Sequence, residues 1–363
     1  MITNTRFFFT IITLTLIIAC STKQDLIVDY SNPQIEYSGR IDSSQVKGVE
    51  LYWSGSSIKL NFEGEAISAL IEDESGDNYY NVIVDNDSPF ILHLNRTKGY
   101  FQLASGLSKG KHTIEIFKRT EWDRGKTTFY GFKIKGDAKV LPKSLPLKRN
   151  LEFYGNSITA GYAIEDFSGK DSPEGTFTNN YLTYAALTAR HFDANYHCTC
   201  RSGIGITVSW IPEIMPEIYD RINPVDSNSK WNFSLYTPDI VVINLLQNDS
   251  WLVNMPDSDE FKMRFGTTTP DEKFIVNAYQ KFVADIRNQY PKANIICSLG
   301  CMDAVKEGSK WMDYIKMAVA NLNDKKIYTH FMPYIEATAH PSIRDQEVMA
   351  NSLIKFIENN IDW

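Results

Sequence analysis

The sequence predicts a β-sandwich followed by a three-layer α/β domain built on a parallel sheet. Through residues 36–140, apolar residues alternate with polar ones in short runs, as at Ile58, Leu60 and Phe62. After a Pro-bearing connector at 141–146, compact apolar runs alternate with segments of helical spacing. Period-two alternation is typical of strands with one buried face, whereas wholly apolar strands separated by helices indicate a parallel sheet covered on both faces. A chain of 363 residues is long enough for two such domains.

The first domain is assigned to residues 36–140 and the second to residues 148–363. Turn-forming sequences separate the alternating runs of the first domain, which predicts the short strands of a β-sandwich with few or no helices. These runs are Ile58–Phe62, Tyr80–Val84, Phe90–Leu94, Ile114–Ile116 and Tyr130–Ile134.

In the second domain, five apolar runs are the predicted strands and the segments between them are the predicted helices. Asn180–Phe192 repeats apolar residues at helical spacing, and the run Thr-Pro-Asp-Glu at 269–272 predicts a capping box that begins a helix ending near Gln289. Ligands of such sheets bind at the carboxyl ends of the strands, so the turns that follow these runs are the candidate site. The predicted strands are Leu151–Phe153, Tyr196–Thr199, Ile240–Leu246, Asn294–Leu299 and Lys326–Phe331.

Residues 1–20 have the pattern of an export signal. An apolar stretch, Phe7–Ala19, ends at Cys20 and is too short to span a bilayer as a helix. A small residue followed by cysteine resembles the bacterial lipobox, which implies cleavage before Cys20 and its lipidation. The alternative is a plain signal peptide with an incidental cysteine. We expect an exported bacterial lipoprotein on either face of the outer membrane, attached through Cys20 only, with residues 21–35 as a polar tether.

Composition and cysteine spacing argue against several partners and cofactors. Lys and Arg number 37 against 44 Asp and Glu, a net charge of −7, and such a surface repels phosphate backbones, so no nucleic acid partner is expected. The spacings of Cys198, Cys200, Cys297 and Cys301 suit a disulfide or zinc, but no paired histidine spacing supports a metal site. Buried thiols or one incidental bridge are favoured, and no metal or other cofactor is expected.

Two of the turns carry a candidate nucleophile and its base. Ser157 directly follows the first predicted strand, where Gly155 permits a tight exit and the next backbone N–H groups point at whatever the hydroxyl attacks. His340 follows the last predicted strand, ahead of a closing helix expected to end near Asn359. A serine hydroxyl is a weak nucleophile at neutral pH and needs such a base. Taken singly, the serine could be a helix cap and the histidine a packing residue.

Two other turns offer donors for an oxyanion. The turn at 201–206 follows the second strand and presents the backbone N–H of Gly203 or of Gly205. Asn248 follows the third strand and presents a carboxamide. An acyl-transfer site needs donors of both kinds where negative charge develops. Each residue could also be part of an ordinary loop.

Taken in chain order, the four turns resemble the four blocks of the SGNH (GDSL-type) hydrolases over residues 148–363. The blocks are Gly-Asn-Ser-Ile-Thr at 155–159, the glycine turn, Gln-Asn-Asp at 247–249 and His-Pro at 340–341. With its β-rich first half, the chain is similar to carbohydrate esterase family 2, in which a jelly-roll β-sandwich precedes a flavodoxin-like SGNH domain. The resemblance implies a serine esterase whose partners are acetylated polysaccharides or oligosaccharides, from which it removes acetyl groups, as from xylan and glucomannan.

The resemblance also implies a role for each site residue. Ser157 would attack the ester carbonyl to form an acyl-enzyme, and His340 would take its proton and return it to the leaving sugar oxygen. The N–H groups of Ser157 and Gly205, with the Asn248 side chain, would form the oxyanion hole. Gly203 is the alternative. Gly205 is preferred because a threonine lies two residues after Gly205, as in the family.

The chain departs from the family pattern in three ways. Asn156 replaces the usual aspartate before the serine, and Leu246 replaces a glycine of the third block. The acid that orients the histidine usually lies three or two residues before it, and this chain has alanine and threonine there, at 337 and 338. Glu336, or more remotely Asp303, could substitute. A Ser–His dyad oriented by a backbone carbonyl is the favoured interpretation.

Aromatic side chains near the turns are candidates to stack on sugar rings, namely Tyr162, Trp210 and above all Trp251, three residues after Asn248. Two other functions stay open. One is an esterase for methyl, aryl or lipid esters, with lipids disfavoured by the lack of an apolar lid segment. The other is a surface lipoprotein that binds glycans through a non-catalytic SGNH domain, an interpretation kept open by the missing acid and the missing glycine.

Overall fold

A computed structural model describes residues 24–44, 47–336 and 339–363. The predicted signal peptide with Cys20 lies outside the described residues, and so do Ala337 and Thr338. Along the described part of the chain, no helix is both long and apolar enough to cross a lipid bilayer.

The first half of the chain forms two antiparallel six-stranded sheets that enclose an apolar core. The alternation at Ile58, Leu60 and Phe62 is confirmed, because all three side chains are buried on strand β5 while their neighbours Lys59 and Asn61 are not. One sheet has the order β3-β4-β11-β6-β9 with β1 paired to β11, and the other β12-β5-β10-β7-β8 with β2 paired to β5. The strands are β1 (Leu26–Asp29), β2 (Glu36–Ser38), β3 (Ile41–Asp42), β4 (Val49–Leu51), β5 (Ser57–Glu63), β6 (Ala66–Asp73), β7 (Tyr79–Val84), β8 (Phe90–His93), β9 (Gly99–Ser105), β10 (Lys111–Lys118), β11 (Thr127–Lys135) and β12 (Lys139–Val140).

Strand β1 corrects part of the predicted polar tether at 21–35. Residues 26–29 pair in antiparallel register with β11, from Leu26 opposite Ile134 to Asp29 opposite Gly131. Val28 is buried in the core of the sandwich. The run Leu-Ile-Val at 26–28 has the β-branched composition that favours strands, and one strand face is enough to bury an apolar side chain.

The second half is the predicted three-layer α/β domain. Its parallel sheet has the order β14-β13-β15-β16-β17, and each strand overlaps one of the five predicted apolar runs. Helices pack on both faces, and the two apolar layers share the wholly buried strand β15. The strands are β13 (Arg149–Gly155), β14 (Ala194–Cys200), β15 (Ile240–Asn244), β16 (Asn294–Leu299) and β17 (Ile327–Phe331); the helices are α1 (Ser157–Ala160), α2 (Tyr184–His191), α3 (Met215–Ile218), α4 (Gln247–Leu252), α5 (Asp259–Phe265), α6 (Glu272–Gln289), α7 (Trp311–Leu322) and α8 (Ile343–Asn360).

Helix α6 begins later than its predicted capping box. Asp271 is the N-cap, and its carboxylate accepts the N–H of Phe274 at 2.7 Å. The Thr-Pro pair at 269–270 therefore precedes the helix instead of opening it. Aspartate at the N-cap is favoured because it accepts an otherwise unpaired N–H and lies near the positive end of the helix dipole.

The four described cysteines are buried free thiols, at positions 198, 200, 297 and 301. Cys198 and Cys200 lie two residues apart on one face of β14, and their sulfur atoms form a hydrogen bond 3.2 Å long. Within residues 24–44, 47–336 and 339–363, no group of three or more His, Cys, Asp or Glu side chains is arranged to hold a metal ion.

A buried ion pair joins the sandwich to the parallel sheet. Arg40, in the turn after β2, is 1% exposed and bonds to the Glu152 carboxylate at 2.9 Å and to the Tyr154 hydroxyl at 2.8 Å. Its other nitrogen donates to the carbonyl oxygens of Tyr219 and Arg221. Glu152 lies on β13 and is fully buried. The sandwich thus places a charged side chain inside the domain that carries the candidate site.

We expect the variant Arg40→Leu to lower the free energy of unfolding by about 3–5 kcal/mol, because Glu152 would keep a buried charge without its partner. Denaturant unfolding followed by circular dichroism measures this. The double variant Arg40→Leu/Glu152→Leu should be less destabilised than the single one, since no unpaired charge remains. An Arg40→Leu protein as stable as the parent would show that the ion pair does not hold the domains together.

Candidate active site

Ser157 lies where β13 ends, at the first position of α1. Asn156 caps this short helix by accepting the N–H of Ile158 at 3.0 Å. A side chain at Gly155 would place its Cβ 2.0 Å from the Thr159 hydroxyl oxygen, so the tight turn requires glycine. The N–H of Ser157 is in the first turn of the helix, where backbone donors lack intrahelical acceptors. The nucleophile is therefore held firmly, and the backbone N–H of Ser157 has no acceptor among the residues that the structure describes.

His340 reaches Ser157 from the other end of the domain. It follows β17 and precedes α8, and its Nε2 atom lies 2.9 Å from the Ser157 hydroxyl oxygen although 183 residues separate the two. The parallel sheet explains this meeting, because the carboxyl ends of its strands lie on one edge. The structure thus brings together the two residues that the sequence proposed as nucleophile and base, at the distance a proton transfer needs.

A third residue, Asp171, orients the histidine. Its Oδ2 atom is 2.9 Å from the ring Nδ1 of His340, and its Oδ1 accepts the backbone N–H of the same residue at 2.9 Å. The preference for a Ser–His dyad held by a backbone carbonyl is therefore wrong. Glu336 is exposed, and Asp171 occupies the position at Nδ1 of His340 for which Glu336 was proposed. Asp303 instead accepts hydrogen bonds from Gln247 and Trp251.

Asp171 was missed because the acid does not come from the segment before the histidine. It lies in the loop between α1 and a 3-10 turn at Gly175–Phe177, 169 residues away in sequence. The sequence held a modest signal that this loop is ordered. The carboxylate of Asp166 accepts from the N–H and hydroxyl of Ser168 and from the N–H of Ser172, a pattern of local side-chain turns readable from residue types.

The Asp171 carboxylate is kept ionised. Its burial raises its pKa, but the hydrogen bonds from the ring and backbone N–H of His340, with the attraction of that ring, lower the pKa below the ordinary value of 3.8. The backbone of Asp171 has a φ of 55°, in the left-handed region that aspartate tolerates better than most residues. An ionised carboxylate at Nδ1 fixes the tautomer that leaves Nε2 free to accept the serine proton.

The oxyanion donor preferred from the sequence, Gly205, is corrected by the structure. Its N–H donates to the Ser209 hydroxyl at 2.9 Å, and a Cβ there would lie 2.1 Å from the Val208 carbonyl oxygen. Gly205 is therefore a packing glycine. The alternative, Gly203, has a φ of 81° and is partly exposed, and its N–H has no acceptor in the described part of the chain. This leaves Gly203 as the candidate for the second backbone donor.

Asn248 lies beside this turn, in the first turn of α4. Its carboxamide donates to the Ile204 carbonyl oxygen at 2.8 Å, which holds the side chain against the residue that follows Gly203. Its second N–H has no acceptor in the described ranges of the chain and could donate to an oxyanion. The three proposed donors, from Ser157, Gly203 and Asn248, thus belong to three neighbouring strand ends.

The neighbouring Asp249 locks the glycine turn. Its fully buried carboxylate accepts the N–H groups of Ile206 and Thr207 at 3.0 and 2.6 Å, and the Thr207 hydroxyl at 2.7 Å. Leu246, which replaces the family glycine, has a φ of 87° and is buried. A leucine in this left-handed conformation carries backbone strain of about 1–2 kcal/mol, which explains why the family uses glycine there.

The aromatic candidates lie around the same rim but differ in their contacts. The Tyr162 ring packs 4.9 Å from the His340 ring, and its hydroxyl donates to the Asp171 carbonyl oxygen at 3.3 Å. Trp251 is half-buried and donates from its indole nitrogen to Asp303 at 2.8 Å. Trp210 packs against Gly203 and is 41% exposed. Tyr162 therefore supports the triad, while the two tryptophans keep free surface near it.

Comparisons with known proteins bear on both halves. Residues 37–143 match the family model described as carbohydrate esterase 2 N-terminal. The chain is 35% identical over 347 residues to the cellulase/esterase CelE of Acetivibrio thermocellus, an alignment that takes in 92% of this chain and 40% of that protein. It is 24% identical over 358 residues to an acetylxylan esterase / glucomannan deacetylase of Cellvibrio japonicus, with 95% of each chain covered. The chain thus spans about two fifths of the length of the first relative and nearly all of the second.

The fold is similar to that of solved structures over both domains. A family two carbohydrate esterase from Clostridium thermocellum, in complex with cellohexaose, superposes with a TM-score of 0.80 and 34% identity, covering 90% of this chain and 98% of that one. A family two carbohydrate esterase from Cellvibrio japonicus superposes with a TM-score of 0.83 at 22% identity, covering 94% and 99%. The chain belongs to carbohydrate esterase family 2.

Proposed function

We propose that this chain is a serine esterase that removes O-acetyl groups from plant-type polysaccharides such as xylan or glucomannan. The observation that carries the proposal is the hydrogen-bonded series Ser157, His340 and Asp171 on the rim of the parallel sheet. Its family membership and the acetylxylan esterase / glucomannan deacetylase relative of Cellvibrio japonicus support the substrate class. An acetyl group is small enough for a site whose nucleophile is 7% exposed.

Acylation follows from the geometry. The Nε2 atom of His340 takes the proton of the Ser157 hydroxyl while the oxygen attacks the acetyl carbonyl. The negative charge that develops on the carbonyl oxygen is met by the N–H groups of Ser157 and Gly203 and by the Asn248 carboxamide. His340 then gives its proton to the departing sugar oxygen, which leaves an acetyl group on Ser157.

Deacylation repeats the same steps with water. His340 takes a proton from a water molecule that attacks the acetyl-enzyme, and returns the proton to the Ser157 oxygen as acetate leaves. Asp171 holds the ring in one orientation through both half-reactions and stabilises the imidazolium that forms in each. Since the carboxylate also holds the His340 backbone N–H, it fixes the position of the whole residue.

The test is acetate release by purified protein lacking residues 1–20 from acetylated xylan and acetylated glucomannan. Parallel reactions use 4-nitrophenyl acetate, a glucuronate methyl ester and a long-chain lipid ester. Acetate release from a glycan that is lost in Ser157→Ala supports the proposal. Turnover of only the methyl or lipid ester would assign a different ester class, and glycan binding without turnover of any ester would overturn the esterase proposal in favour of a binding protein.

We also propose that the chain is exported and anchored to the outer membrane through Cys20. The support is the sequence alone, namely the apolar stretch Phe7–Ala19 that ends at a cysteine. Labelled palmitate should be incorporated when the full chain is expressed in a Gram-negative host, and Cys20→Ser should abolish it. Equal labelling of both proteins would reject the anchor.

A further inference from the structure

A short segment of the sandwich reaches the catalytic rim. It runs from Arg119, directly after β10, to Arg124, at the end of a 3-10 turn at Trp122–Arg124. We call residues 119–124 the bridging segment. Its start is rigid, because the preceding Lys118 is fully buried and donates to the carbonyl oxygens of Thr120 and Glu121 at 3.0 and 3.1 Å.

Arg119 holds the base of the loop that carries Asp171. This side chain is 1% exposed, is paired with Glu165, and donates to the carbonyl oxygens of Thr176 and Thr178 at 2.9 and 3.2 Å. These partners lie on both sides of Asp171 in the chain. One arginine of the sandwich therefore closes the two ends of the loop onto each other.

Arg124 holds the same loop close to the acid itself. Its guanidinium donates to the carbonyl oxygen of Pro173, two residues after Asp171, and is anchored to Asp77 at 2.6 Å. Both Arg124 and Asp77 belong to the sandwich and are partly exposed, at 24% and 41%. The contact is therefore a tie between two domains and not part of either core.

The contact from Arg124 matters because much of the loop around Asp171 is exposed. The residues before it, 167–170, are exposed, and the Asp171 side chain is itself one-third exposed with a left-handed backbone. An orienting carboxylate works only if it stays in place, since a displacement of about 1 Å in a catalytic constellation can cost roughly 100-fold in rate.

The bridging segment also contacts the turn that carries the proposed oxyanion donor. The Glu121 carboxylate is buried and accepts the N–H and the hydroxyl of Ser202, each at 2.5 Å. Ser202 directly precedes Gly203, the proposed oxyanion donor. The bridging segment thus contacts both of the loops whose positions the mechanism depends on.

We propose that the bridging segment positions Asp171, so that the sandwich is part of the catalytic apparatus of this esterase, with Arg119 and Arg124 as positioning residues that act through Asp171. The inference rests on the proposed esterase function. Arg124 gives the cleaner test, because it is partly exposed and its removal leaves both cores intact, whereas Arg119 is buried.

The experiment is a double-mutant cycle between Arg124 and Asp171 on 4-nitrophenyl acetate. Arg124→Ala should lower kcat roughly 10- to 100-fold with little change in KM, because orientation and not substrate binding is lost. In the Asp171→Ala background, the same change should lower kcat by less than about 2-fold, since residues that act through one group are not additive. Arg124→Gln should behave like Arg124→Ala.

The matched control is Arg96→Ala, an exposed sandwich arginine that donates to the Ser75 carbonyl oxygen within its own domain, and its kcat should equal that of the parent. Thermal denaturation of every variant checks folding. An Arg124→Ala protein with parental kcat, or one whose loss is equally large without the Asp171 carboxylate, overturns the inference. Neither result touches the proposed function, which fails only if the parent protein releases no acetate from an acetylated glycan.

Discussion

Replacing Ser157 with alanine should lower kcat on acetyl esters by about 10⁶-fold, the loss typical of removing the nucleophile of a serine triad. His340→Ala should lose about as much, because the hydroxyl without its base 2.9 Å away is a poor nucleophile at neutral pH. The double variant should be no worse than either single one, since the two residues act as a unit. The rate that remains would come from the oxyanion donors and from substrate binding.

Initial rates on 4-nitrophenyl acetate and acetate release from acetylated xylan measure this loss. Ser227→Ala, at an exposed loop position outside the site, is the matched control and should keep the parental kcat. Mass spectrometry of the parent protein quenched during turnover should find the acetyl group on the peptide that contains Ser157. Undiminished turnover by Ser157→Ala, or an acetyl group on another residue, would rule out the mechanism.

Local patterns were enough to predict the scaffold and the meeting of Ser157 and His340. Apolar runs identify the parallel strands because a strand buried on both faces must be apolar throughout. Once the strands are known, the parallel register of the sheet determines where the turns lie. Gly155 pairs in register with Cys200 and Asn244, so the turns after these three strands begin side by side at the same edge of the sheet. Two residues that follow strand ends therefore meet even when most of the domain separates them in sequence.

The sequence did not predict which donors and acceptors in the loops form hydrogen bonds with one another. Gly203 and Gly205 are equivalent by residue type, and it is contacts within the folded turn, such as the bond from the Gly205 N–H to the Ser209 hydroxyl, that separate them. Asp171 lies in a polar loop whose path depends on arginines 119 and 124 of the other domain. Such long-range contacts leave no periodicity in the sequence, so residue types alone do not identify Asp171 as the acid.

The first strand of the sandwich was not predicted for a similar reason, because it depends on packing against a distant strand. Val28 belongs to a run of three apolar residues among polar ones; its β-branched composition favours a strand, but the run is too short to predict one by itself. Its pairing with β11 buries it, and that partner lies more than a hundred residues along the chain. A strand four residues long is stabilised by its sheet and not by its own propensity.

Replacing Asp171 with asparagine should lower kcat by about 10⁴-fold, because an amide N–H facing Nδ1 favours the tautomer that leaves Nε2 protonated and unable to act as a base. Asp171→Ala removes the acceptor without fixing the wrong tautomer and should cost less. Glu336→Gln, at the exposed carboxyl that the sequence suggested as a substitute acid, is the matched control and should change kcat by less than about 2-fold. A larger loss in Glu336→Gln than in Asp171→Asn would reject Asp171 as the orienting acid.

Stability in acid gives a second, independent measure of the same residue. The pKa of Asp171 is lowered on folding. Its carboxylate therefore stabilises the native state at pH values above the pKa of the residue in the unfolded chain, about 3.8. That contribution is lost as the pH falls through the lowered pKa in the folded protein. The free energy of unfolding of Asp171→Asn should therefore fall less steeply than that of the parent as the pH is lowered below about 4. Parallel curves for the two proteins would mean that the contacts to His340 leave this carboxyl unperturbed, and that the histidine is held in another way.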